Sequence, residues 1–87
     1  HSTAKQSQYV GHVTEIDAEG WATVEVKNRF AVGDTLEIIH PEGNQTITLE
    51  QMTRKGAAVE VAPGNGIQVK IPNMQGKEKA LLARVIK

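Results

Sequence analysis

Two runs of strict alternation, Val24-Glu25-Val26-Lys27 and Leu36-Glu37-Ile38, flank a connector that ends in Gly33-Asp34. Valine and isoleucine prefer the extended backbone, and a period of two puts Val24 and Val26 on one face and Glu25 and Lys27 on the other. The segment therefore folds as two half-buried strands joined by a turn. The same reading extends along the chain. Tyr9 to Ile16 alternates, provided that a bulge brings Ile16 onto the face of Val13. Ala18-Glu19-Gly20 turns it into Trp21–Lys27, and Pro41-Glu42-Gly43-Asn44 turns Thr35–His40 into Gln45–Leu49. Residues 50 to 55 read as one helical or irregular turn. Ala58–Ala62 and Ile67–Ile71 are strands around Pro63-Gly64-Asn65-Gly66, and in Ala80–Ile86 helix and strand propensities compete.

Many short strands with no helix of ordinary length predict an all-β domain, a small closed antiparallel β-barrel of six or seven strands, since closure removes aggregation-prone edges. Its expected inward set is Val13, Val24, Val26, Leu36, Ile38, Ile47, Leu49, Val59, Val61, Ile67, Val69, Leu81 and Val85. At 87 residues the chain holds one domain. Residues 1–8 are polar or small and aperiodic and read as a linker or expression remnant, leaving 9–87 as the barrel.

The chain has no cysteine. That excludes a disulfide framework, a thiolate nucleophile and a thiolate-held metal or iron–sulfur cluster within it. No apolar run approaches the roughly 20 residues that span a bilayer, so no membrane partner is expected. His12 and His40 lack a ligand spacing and read as strand-surface residues. Gly64-Asn65-Gly66 lacks both the Lys-Ser/Thr ending of a phosphate loop and a following helix, and reads as a turn. No nucleophile–base pair is present, so the chain itself is expected to be non-catalytic, with no catalytic, cofactor-binding or metal residues.

Net charge is zero but unevenly spread: residues 1–69 carry five Lys/Arg against nine Asp/Glu, and residues 70–87 carry five against one. Recognition chemistry concentrates in Lys27, Asn28, Arg29 and Phe30, which leave the second strand together as two cations, an amide and a ring. Phe30 either stacks on a ligand or plugs the barrel end, and the scarcity of aromatics (three in all) favours the plug. Arg54, Lys55, Lys77 and Lys79 complete the candidate set for RNA or partner contact. Trp21 takes an outward register and is the candidate contact to a neighbouring domain.

The words Glu25-Val26-Lys27-Asn28 with Phe30, Val32-Gly33-Asp34, His40-Pro41-Glu42-Gly43 and, more weakly, Pro72-Asn73-Met74 resemble the C-terminal domain of the U32, or collagenase-like, peptidase family over about positions 9 to 87. Val32-Gly33-Asp34 is also similar to the second-domain barrels of translation GTPases. The resemblance implies a parent enzyme whose activity sits in a larger upstream domain. In one branch that domain carries an iron–sulfur cluster and hydroxylates tRNA at the wobble uridine; other members are described as peptidases. It further implies a cytoplasmic accessory domain that helps hold tRNA. The alternative is a structural module that docks on the catalytic domain of a collagenase-like protease and has no ligand of its own.

Overall fold

The computed structural model describes residues 6–86, which form ten strands and no helix. These are β1 (Gln6–Ile16), β2 (Ala22–Val26), β3 (Phe30–Ala31), β4 (Thr35–Ile39), β5 (Gln45–Thr48), β6 (Thr53–Arg54), β7 (Ala57–Ala58), β8 (Val61–Ala62), β9 (Gln68–Ile71) and β10 (Leu81–Ile86). Eight of them form one antiparallel sheet in the order β5-β4-β10-β1-β2-β9-β6-β7, and β3 pairs with β8 in a second. The first and last strands lie side by side in mid-sheet, Gln6 opposite Ile86.

The ladder is therefore not closed, which corrects the expected six- or seven-stranded barrel. The stretch expected as one strand, Ala58–Ala62, is split: β7 stays at an edge of the large sheet and β8 leaves to pair with β3. The two free edges are short, β5 with four residues and β7 with two, which limits the backbone they offer to foreign strands. The segment read as helical or irregular contributes β6, and Ala80–Ile86 resolves as strand.

A single apolar cluster fills the fold, with Val10, Val24, Val26, Phe30, Leu36, Ile71, Met74 and Leu82 all at 0 % exposure. Among the described residues no polar or charged side chain is fully buried. Of the expected inward set, Leu81 and Val61 are instead exposed and Val85 only half-buried. In β10 the core face belongs to Leu82, which pairs with Ile38 and Gly11. One residue of register exchanges the two faces of a strand.

β1 departs most from simple alternation. Val10 and Val13 are both buried although they are three apart. The first of two bulges allows this: pairing with β10 shifts between Tyr9 and Gly11, and pairing with β2 shifts again between Val13 and Glu15. The second is the bulge the sequence required. The strand also begins at Gln6, within the stretch expected to be linker, because Gln6, Ser7 and Gln8 pair with Ile86, Val85 and Arg84.

Val32-Gly33-Asp34 is a turn clamp. The Asp34 carboxylate accepts the Ala31 N–H at 2.8 Å, and Gly33 takes φ 97°, a left-handed conformation that suits glycine. Gly33 N–H then donates to the Leu49 carbonyl (2.8 Å) while Leu49 N–H donates to that of Asp34 (2.9 Å), fixing β4 against the segment after β5.

Candidate nucleic-acid interface

The outer face of β2, β9 and β6 carries an open groove of about 590 Å³. Its floor follows from register. Thr23 of β2 pairs with Lys70 of β9, and Lys70 pairs with Thr53 of β6, so the three side chains form a row across the sheet. Val69 and Ile71 alternate inward, which turns Gln68 and Lys70 outward. Arg54 and Lys55 form the wall. Arg54 pairs with Ala57, and the two residues between them, Lys55 (φ 53°) and Gly56 (φ 81°), are both left-handed, the signature of a tight hairpin turn whose twist matches its strands. The charged residues lining the groove are Arg54, Lys55 and Lys70, with no carboxylate among the lining. Threonine hydroxyls and the Gln68 amide supply neutral hydrogen-bonding groups between the cations.

The sequence candidates divide between the two ends of β2. Lys27, Asn28 and Arg29 follow its last residue and lie at the groove end: Gly66, which lines the groove, donates its N–H to the Val26 carbonyl at 2.9 Å. Gly64 packs on the same loop, where a Cβ would stand 3.5 Å from Arg29 N. The exposed Lys27, however, is paired with Glu25 at 2.6 Å. That hydrogen bond, and then the charge attraction, lowers the Glu25 carboxyl below its usual range and raises the Lys27 ammonium. The pair favours the folded state at neutral pH. The Glu25 part fades as pH falls through its lowered value, and the Lys27 part as pH rises through its raised one. Asn28 is also engaged, its Nδ2 donating to the Tyr9 carbonyl at 2.7 Å. Phe30 is at 0 % exposure, so it fills the core and cannot stack on a ligand.

Lys77 and Lys79 lie at the other end of β2. Their loop is anchored by the fully buried Met74, whose N–H donates to the Gly20 carbonyl at 2.8 Å. Trp21 shares that end, half-buried, with its backbone N–H donated to Asp17 Oδ1 at 3.0 Å. At ~3.3 Å per residue, β2 separates the two cation groups by roughly 16 Å. Lys70, Thr23 and Gln68 complete the groove but were not singled out from sequence. The available signal was the alternation Gln68-Val69-Lys70-Ile71, which marks an outward cation once a neighbouring strand is known.

Among the described residues no three His, Cys, Asp or Glu side chains gather into a metal-binding group, and no helix is long and apolar enough to cross a membrane. With no cysteine in the chain, the residues present do not fit an iron–sulfur cluster.

Comparison with known proteins agrees with the resemblance. The family described as peptidase family U32, C-terminal domain, matches residues 5–84. The chain is 44% identical over 87 residues to tRNA hydroxylation protein P of Escherichia coli and 35% identical over 88 residues to that of Haemophilus influenzae. Each match covers 97% of this chain but 19% of the relative, so the chain spans about a fifth of the curated relatives' length. Its fold is similar to the crystal structure of the C-terminal domain of a U32 peptidase from Geobacillus thermoleovorans, with a TM-score of 0.79 at 26% identity over 92% of this chain and 93% of that one. A selenomethionine variant of the same domain gives a TM-score of 0.73 at 27% identity, over 86% and 96%. By sequence and by fold the chain belongs to peptidase family U32, as its C-terminal domain.

Proposed function

We propose that this domain is a non-catalytic accessory module that holds tRNA for a U32-family enzyme that hydroxylates the wobble uridine, with the groove of β2, β9 and β6 as the phosphate-binding surface. The carrying observation is the lining: three cations and no carboxylate in a chain whose net charge is zero. Arginine fits a phosphate with two parallel N–H donors, lysine supplies a point charge, and threonine and glutamine can donate to ribose or base edges. The names of the two relatives supply tRNA as the substrate class. Iron–sulfur chemistry in this reading belongs to the upstream domain, and this domain contributes grip and orientation in the cytoplasm.

Such binding is weak and steeply salt-dependent, because each neutralised phosphate releases counterions: log K falls by about 0.7 to 0.9 per contact for each unit of log salt. Replacing Arg54 and Lys70 together by alanine is expected to weaken tRNA binding and to flatten the salt slope by about two contacts' worth. The Lys77→Ala/Lys79→Ala pair, outside the groove lining, is expected to change neither. Fluorescence anisotropy with labelled tRNA over a salt series measures both. Equal slopes for the groove variant and the unaltered protein would overturn the assignment.

A further inference from the structure

A second surface lies beside the groove on the outer side of the same sheet. On the outer face of β10 Leu81 and Val85 flank Ala83, which is itself covered at 4% exposure, with their neighbours set by register: His12 and Ile39 beside Leu81, Tyr9 and Glu37 beside Ala83, and Ser7 beside Val85. Leu81 is 44% exposed and Tyr9 43%. Half-buried Ile39 and Val85 extend the apolar area across β4 and β10. The Tyr9 hydroxyl sits 3.0 Å from His12 Nδ1, tying the ring along β1. Two exposed apolar side chains on neighbouring strands, flanked by half-buried ones, mark a contact surface more than a single scattered residue does.

We propose that this face docks against the polypeptide that precedes the domain in the whole U32 protein. Three observations select that occupant. The curated relatives are about five times longer than the matched region, which covers 19% of their length, and the matched family is a C-terminal domain, so the remaining mass lies ahead of it. The chain comes into the sheet through β1, and Ser7, two residues before Tyr9, already borders the patch opposite Val85. Polypeptide arriving there meets the apolar face first, at high effective concentration. Finally, the patch occupies β4, β10 and β1, whereas the groove occupies β2, β9 and β6, the next strands in the sheet. Docking on one half leaves the other open. Trp21, the sequence candidate for this contact, lies instead on the turn between β1 and β2.

Hydroxyl-radical footprinting of the full-length protein and of the 87-residue chain tests the surface directly. Oxidation of Tyr9 and Leu81 is expected to drop severalfold in the full-length protein, while Val61 of β8, 40% exposed, reacts equally in both. Leu81→Glu is expected to lower the melting temperature of the isolated chain by only a few degrees, because its side chain is 44% exposed there. In the full-length protein the same variant is expected to restore Tyr9 oxidation and to speed proteolysis ahead of β1. Equal reactivity of Tyr9 and Leu81 in both proteins would overturn the proposal, as would protection at Trp21 instead. Concentration-dependent protection of the isolated chain would also overturn it, since it would make a second copy the occupant. None of these readouts involves RNA, so the docking face and the groove stand or fall separately.

Discussion

Gly11→Ala is expected to be the most damaging conservative substitution in this domain, lowering the melting temperature by about 15 to 30 °C at about 4 to 8 °C per kcal/mol. Gly11 lies in β1 between the two bulges, opposite Leu82 on one side and Val26 on the other. A Cβ placed there runs into the carbonyl oxygen of Glu25 and stands 3.2 Å from Val24 Cγ1. The obstacle is backbone of the neighbouring strand, not the end of a flexible side chain, so relief requires the β1–β2 ladder to open. Losses of about 4 kcal/mol belong to this kind of event. A domain of 87 residues, at roughly 0.05–0.15 kcal/mol per residue, has about 4 to 13 kcal/mol in all, so the loss is a large share of it. Gly33→Ala is the control: its Cβ meets nothing within 4 Å, so only the φ of 97° is penalised. That costs about 1–2 kcal/mol. Thermal unfolding followed by circular dichroism separates the two.

Phe30→Ala is expected to cost about 3–5 kcal/mol, the range for emptying the site of a fully buried aromatic side chain. Phe30 is the largest residue type among the fully buried side chains, belongs to the core cluster and pairs with Ala62 in the small sheet. Its loss leaves a cavity in the core. Phe30→Leu distinguishes a plug from a stacking ring. As a plug, leucine keeps most of the volume and costs less than about 1.5 kcal/mol of stability, with tRNA affinity unchanged. Were the ring stacked on a base, the same change would remove about 1–3 kcal/mol of binding. Urea denaturation and tRNA binding on the same sample report both quantities.

The features visible in the sequence were those carried by local pattern. Alternation placed β2, β4, β5 and β9 within a residue or two, because each has an inward series such as Val24 and Val26 or Leu36 and Ile38. Gly33-Asp34 was legible as a bend, and the burial of Phe30 followed from the shortage of large side chains. What escaped depends on contacts distant in sequence. The bulge that buries Val10 exists only against β10, some seventy positions later. Leu82 and not Leu81 faces inward because β10 is held in register between β1 and β4. Closure of the barrel failed where Val61 and Ala62 chose β3 as partner. For the site, Arg54 and Lys55 could be named as cations, but their neighbour Lys70 emerged only when β6, read as irregular from its sequence, paired with β9.

The central claim, that the β2–β9–β6 groove receives RNA phosphates, is tested most directly by an amide-shift titration of the chain with bulk tRNA at low and physiological salt, using an unrelated acidic polymer as control. Shifts confined to Thr53–Gly56 and Gly66–Lys70, attenuated by salt and larger for tRNA than for the polymer, are the predicted result. Silence at millimolar tRNA, or equal shifts with the polymer, would contradict it.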